Sequence, residues 1–130
     1  NHTIVFVFNQ PVTSGTAAVT AGPGTAGTPT FSGNELTVPL AGVANQQYVT
    51  VAVSGLNGTA SGASVRIGFL LGDVSQNRVV TVSDLGQVNA QIAQLVSPSN
   101  YLRDVNGNGT LTVSDKGIAN TQITKALPAP

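Results

Sequence analysis

From Ile4 to Leu71 apolar and polar residues alternate with a period of two, and Gly, Pro or Asn interrupts them every few residues. That rhythm belongs to β-strands, whose successive side chains point to opposite faces. Ile4–Phe8 opens the series and is apolar on both faces, the pattern of a strand that is covered on two sides or free to pair with another chain. Pro11 and Ser14-Gly15 turn the chain into a weaker strand, Thr16–Thr20, which ends at Gly22-Pro23-Gly24. Thr28–Phe31 follows, and Ser32-Gly33-Asn34 leads into Glu35–Leu40, where Leu36, Val38 and Leu40 alternate with Glu35, Thr37 and Pro39. Proline cannot donate to a ladder, so Pro39 predicts an edge strand or a strand end. Gln47–Ser54 sets Val49, Val51 and Val53 on one face, and Ser64–Leu71 does the same with Val65, Ile67, Phe69 and Leu71. Six short strands with this spacing predict an antiparallel β-sandwich.

Past residue 80 the period changes. Thr81-Val-Ser-Asp84 and Thr112-Val-Ser-Asp115 are capping patterns, each opening a helix. The first helix is predicted over Val82–Leu95, with Leu85, Val88, Ile92 and Leu95 on its buried face. It stops near Ser97-Pro98, where Pro98 can start a short turn through Tyr101. The second is predicted over Val113–Ala126, burying Ala119, Ile123 and Leu127, with Lys116 in the place of Leu85. Gly86 and Gly117 also correspond, each costing about 1 kcal/mol against Ala in a helix. They are either neutral inheritances of a duplication or a flat patch for close approach by another chain.

Each helix follows a twelve-residue stretch, Asp73–Asp84 and Asp104–Asp115, and the second begins 31 residues after the first. Side-chain oxygens stand at positions 1, 3, 5 and 12: Asp73, Ser75, Asn77 and Asp84 in one, Asp104, Asn106, Asn108 and Asp115 in the other. Position 7 (Val79, Thr110) offers a main-chain carbonyl, and position 8 (Val80, Leu111) is aliphatic. Calcium takes six to eight oxygens at about 2.3–2.6 Å, and this spacing wraps a chain around one ion. Metal-free Asx-rich turns use the same residue types. Two copies in register favour calcium, with the second loop the stronger: it has Gly109 at position 6, where the first has Arg78. The aliphatic position 8 predicts that the loops pair back to back through a short β-bridge.

The two stretches resemble the duplicated segment of type I dockerins, over residues 72–127. The likeness lies in Gly72-Asp73-Val74, in Asp104-Val105-Asn106-Gly107-Asn108-Gly109, and in the Val-Ser-Asp that closes both. Asp at position 12, where an ordinary EF-hand has Glu, is a dockerin habit, as is a missing entering helix: here the residues before Asp73, Val65–Leu71, read as a strand. The resemblance implies calcium-dependent folding and docking onto a protein partner, which for dockerins is typically a cohesin module in an extracellular assembly. Two departures stand out: Arg78 at position 6, and Asn89-Ala90 and Asn120-Thr121 where dockerins often carry basic partner contacts. Residues 1–71 look like the Ig-like modules that precede dockerins in bacterial surface proteins.

Composition narrows the function. Charged residues are 8%, the net charge is zero and the hydrophobic fraction is 41%. No basic nucleic-acid surface, polybasic membrane patch or charge-rich disorder fits that balance. No apolar run approaches the roughly 18 residues of a membrane span, so membrane insertion is not expected. The chain opens at Asn1 without Met, as expected of a processed or excised chain. Of the five acids four are loop aspartates, and Glu35 has no carboxylate partner. With one histidine, His2, read as a solvated terminal residue, and no cysteine, neither a triad nor a zinc site assembles. Catalysis is not expected. Loops with two carboxylates each bind calcium weakly, which suits extracellular calcium near millimolar and places the protein outside the cell or on its surface. The Asn-x-Thr sequons at Asn1, Asn57 and Asn108 are read as chance. Without Trp, Tyr48 and Tyr101 make a poor sugar platform.

The expectation is therefore a mainly β protein with a small α module: an Ig-like sandwich (1–71) fused rigidly, without a linker, to a dockerin-like calcium module (72–130). Its expected role is non-catalytic attachment to a cohesin-like receptor. The alternative is a self-polymerising subunit of an extracellular filament, stabilised by calcium, in which the first strand completes a neighbour's sheet.

Overall fold

A computed structural model describes residues 2–129. The described chain is mainly β, with two sheets and two short helices. Between Phe69 and Leu70 it divides into two compact units.

The first unit contains β1 (His2–Val7), β2 (Thr16–Ala21), β3 (Thr25–Ala26), β4 (Thr30–Ser32), β5 (Glu35–Ala41), β6 (Gln47–Ser54) and β7 (Ala63–Phe69). One sheet runs β1-β5-β3, with β4 also on β5, and the other runs β2-β6-β7. Every pairing is antiparallel. The period-two pattern turns Leu36, Val38 and Leu40 of β5 inward, along with Val49, Val51 and Val53 of β6. These six, Val12 and Leu56 form one core, against which Ile4, Phe6 and Phe8 pack. Each such side chain contributes about 1.5–3 kcal/mol on burial, so strands from both sheets hold each other in place.

Pro39 sits where its pattern did not predict. Its strand is flanked by β1 on one side and by β4 and β3 on the other, so β5 is central. The Gly27 N–H donates to the Pro39 carbonyl at 2.8 Å. The Pro39 nitrogen lies on that same side of β5, facing residues 27–29, where the ladder is interrupted between β3 and β4. The missing donor therefore breaks no ladder bond. β4 takes the place of the strand expected at Thr28–Phe31, and β3, before the interruption, was not expected.

β1 pairs with β5 from His2↔Leu40 to Val7↔Glu35. Ile4 and Phe6 pack on the core, whereas Val5 and Val7 are 48% and 66% exposed at the sheet's edge. The His2 ring lies 4.7 Å from that of Phe69. Leu71, expected on the inner face of the last strand, falls outside β7 and is exposed.

The second unit contains α1 (Val82–Asn89), a 3₁₀ turn (Tyr101–Arg103) and α2 (Val113–Gln122). Val74, Val88 and Ala119 form its core, with Leu85, Leu102 and Val105 packed against them. Val105 stands one repeat on from Val74, and Ala119 one repeat on from Val88. Corresponding positions of the two repeats thus share one core.

Both helices end earlier than their sequence predicts. At Ala93 (φ 68) and Thr124 (φ 79), also one repeat apart, the backbone turns left-handed. The Ala93 N–H then donates to the Leu111 carbonyl at 2.9 Å. The Thr124 N–H donates to the Val80 carbonyl at 2.9 Å, and Val80 N–H to the Lys125 carbonyl at 2.8 Å. The loops therefore do not bridge back to back. Position 8 of each pairs with the segment that follows the other repeat's helix. Leu95, predicted to be buried, is 90% exposed because its segment has left the helix to bridge Thr110. Asn100 secures this connection: its Oδ1 accepts from Ser97 N–H (2.7 Å), and its Nδ2 donates to the Leu95 carbonyl (3.1 Å).

Leu36→Ala should cost about 2–5 kcal/mol in urea unfolding followed by strand signal, and Val7→Ala less than about 0.5. Equal effects of the two would show that the first unit's core does not lie where its register places it.

Candidate metal centre

The two loops are wired alike. In the first, Asp73 Oδ1 accepts from Asn77 N–H (3.1 Å) and Oδ2 from Arg78 N–H (2.7 Å). In the second, Asp104 Oδ1 accepts from Asn108 N–H (3.1 Å) and Oδ2 from Gly109 N–H (2.7 Å). The position-1 carboxylate thus folds the loop over itself by holding the N–H groups of positions 5 and 6.

Position 12 closes the ring. Asp84 Oδ1 accepts from Ser75 N–H (2.9 Å), and its Oδ2 from Thr81 N–H (2.8 Å) and Oγ1 (3.0 Å). Asp115 repeats the arrangement with Asn106 N–H (3.2 Å), Thr112 N–H (2.8 Å) and Thr112 Oγ1 (3.1 Å). Thr81 and Thr112 in turn accept from Ser83 and Ser114 N–H, completing the two capping boxes. One aspartate therefore serves the loop and starts the helix. Such a cap stabilises a helix by about 0.5–2 kcal/mol.

Asp84 and Asp115 are both 0% exposed. Burial pushes the Asp84 carboxyl up, but hydrogen bonds from Thr81 and Ser75 outweigh it and hold the group below its ordinary value. Asp115 is likewise pushed up by burial and brought below its ordinary value by bonds from Thr112 and Asn106.

Positions 3 and 5 join the same rings. Ser75 Oγ donates to Asp73 Oδ1 (3.3 Å), and Asn77 Oδ1 accepts from Val79 N–H (3.0 Å). In the second loop Asn108 N–H is shared with Asn106 Oδ1 (3.0 Å), while Asn108 Oδ1 accepts from Thr110 N–H (2.9 Å) and Oγ1 (2.6 Å). Each side-chain position predicted to ligate is thus tied into its loop, and the position-7 residues, Val79 and Thr110, are reached through their N–H groups. Among the described residues no cluster of three or more His, Cys, Asp or Glu gathers. Each loop has two carboxylates, and its other oxygens are amide, hydroxyl and main-chain.

The loops differ in backbone strain. Positions 4 and 6 need positive φ in both, supplied by Gly107 (φ 68) and Gly109 (φ 83) in the second. In the first, Gln76 (φ 59) and Arg78 (φ 75) adopt it with a side chain, at about 1–2 kcal/mol each. Gly72 (φ 90) opens the first loop where an added Cβ would lie 3.4 Å from the Ala119 Cα.

No protein-family model, curated protein or solved structure matches this chain. The functional reading rests on the loops themselves. Sequence reasoning found Thr81 and Thr112 as helix caps, which the two capping boxes bear out, but missed that their hydroxyls also clamp position 12, and it missed the segments after the helices that pair with position 8. The first was legible as the repeated Thr-x-x-Asp spacing. The second carried only the 31-residue correspondence of Ala93 and Thr124, with no glycine to mark a turn.

The unfolded chain protonates these aspartates before the folded one, so they stabilise fully above their ordinary value of 3.8, and that stability is lost as pH falls through the lower folded-state value. Acid titration in chelator should therefore melt the helical signal below about pH 4. Asp115→Ala, which strands the Asn106 and Thr112 N–H groups, should destabilise the second unit by about 1–3 kcal/mol near neutral pH, measured by urea unfolding in chelator.

Proposed function

We propose that this chain is a non-catalytic, extracellular assembly module: an Ig-like sandwich joined to a dockerin-like pair of calcium loops that attaches to a protein partner. The observation that carries the reading is the identical wiring of Asp73 with Asp84 and of Asp104 with Asp115, in two loops one repeat apart. In each loop the carboxylates of positions 1 and 12 and the oxygens of positions 3 and 5, with the carbonyl of position 7, would hold one calcium ion. The ion neutralises two carboxylates that otherwise lean only on neutral donors.

The four loop aspartates leave Glu35 as the remaining acid, and it is exposed on β5, which favours a non-catalytic role. No helix among the described residues is long and apolar enough to cross a membrane. For the partner the helices offer matching faces: Val82 and Val113 are 74% and 73% exposed, and a Cβ added at Gly86 or Gly117, one turn on, meets nothing within 4 Å. The filament alternative has less support, because lending β1 to a neighbour would vacate its ladder from His2↔Leu40 to Val7↔Glu35.

Calorimetry should show two calcium sites, with the first at least about tenfold weaker, or roughly 1.4 kcal/mol, and Arg78→Gly should narrow that gap. Two equal sites would refute the asymmetry, and no heat at all would refute the calcium reading. A ligand in hundredfold excess over its Kd adds about 2.7 kcal/mol, so chelator should lower the melting temperature of the helical signal and leave that of the strand signal unchanged in circular dichroism. Sedimentation of the full chain with calcium should show a monomer that shifts only with a partner; concentration-dependent polymers would revive the filament.

A further inference from the structure

The chain contains three Asn-Gly pairs: Asn57-Gly58, Asn106-Gly107 and Asn108-Gly109. Two of them are positions 3–4 and 5–6 of the second loop. Asn-Gly is the peptide sequence most open to self-modification, because glycine has no side chain to shield its nitrogen or restrain the backbone. The glycine nitrogen loses its proton and attacks the asparagine Cγ. The Cγ–N bond breaks, ammonia leaves, and a five-membered imide forms. One water then opens the imide at either carbonyl, leaving aspartate or, with the main chain rerouted through the side chain, isoaspartate.

The folded loop blocks this at both ends. Gly109 N–H is held at 2.7 Å by Asp104 Oδ2, and Gly107 N–H at 3.2 Å by the Asp104 carbonyl. The Asn106 and Asn108 side chains are occupied as acceptors of Asn108 and Thr110 N–H. Asp104, a proposed calcium ligand, therefore holds both attacking nitrogens. Asn57-Gly58 is blocked separately, in the first unit. Gly58 N–H donates to the Gly55 carbonyl at 3.1 Å, Asn57 Oδ1 accepts from Thr13 N–H at 2.8 Å, and Asn57 Nδ2 donates to the Pro11 carbonyl at 2.8 Å.

We infer that the second loop is a self-modification site guarded by calcium: once the ion leaves and the loop opens, Asn106 and Asn108 cyclise and lose ammonia. This inference rests on the calcium reading above. The products change the loop for good. Aspartate at position 3 or 5 adds a carboxylate to the ligand set, whereas isoaspartate lengthens the main chain by one carbon and shortens the side chain by one, displacing its oxygens from the loop's spacing. The loop would thus record how long the protein has spent without calcium.

The full chain is incubated at mildly alkaline pH in calcium chloride or in EDTA and sampled over days. Trypsin cuts after Arg103 and Lys116, so one peptide holds Asn106 and Asn108, while Asn57 falls in the peptide ending at Arg66. The mass gain of amide-to-acid exchange should build up in the 104–116 peptide at least about tenfold faster in EDTA, since calcium suppresses the open state by its binding free energy. Isoaspartate methyltransferase should label that peptide, and the Asn57 peptide should stay unchanged in both arms. Equal rates in the two arms, with calcium binding confirmed by calorimetry, overturn this inference alone. A silent calorimeter overturns it together with the calcium reading. An equal gain at Asn57 in EDTA also overturns it, by tracing the chemistry to general unfolding.

Discussion

Two buried carboxylates set the terms for the helical unit. Removing Asp84 and Asp115 from water costs several kcal/mol unless each finds compensation, and their protein partners are neutral N–H and O–H groups. That demand explains the surrounding sequence. A threonine must stand three residues before each aspartate, since its N–H and hydroxyl reach back to the carboxylate. The loop must curl so that Ser75 or Asn106 presents its N–H to the other oxygen. Because the same aspartate begins the helix, loop closure and helix start become one event.

The crossed pairing of position 8 extends this constraint across the repeat. The first loop is closed by Asp84 but pinned from outside by Thr124 and Lys125, which follow the helix that Asp115 begins. The second is pinned by Ala93, which follows the helix that Asp84 begins. The shared core of Val74, Val88 and Ala119 joins them again. A duplicated sequence has become one cooperative object, in which neither half is finished without the other.

The strands were legible because each central strand buries one face. Leu36, Val38 and Leu40, and Val49, Val51 and Val53, announce their faces without help from the rest of the chain. The position of β5 was not legible, because Pro39 argues for an edge and only the gap between β3 and β4 resolves the conflict. The candidate loops could be read residue by residue, since ligand spacing is local. Their packing could not. Ile92 and Leu95 fit a helical stripe, yet a left-handed alanine at position 93 takes Leu95 out of the helix. Local periodicity carries no signal for a turn whose reward is a pairing partner in the other repeat.

The reciprocal pinning of the loops has a consequence for dissection and engineering. The smallest independently meaningful piece is the pair of repeats, and a single repeat cut out at its natural period would leave both its position-8 groups and its post-helix segment without mates. Two such fragments carry complementary unsatisfied edges and would recombine, so an excised repeat is a candidate for domain exchange. The segment from Thr124 to Leu127 also lies far from the first loop in sequence while completing it in space. A tag, clip or fusion placed there acts on residues almost fifty positions upstream, and immobilising the chain by that segment would hold it by the stretch that pairs with its first loop.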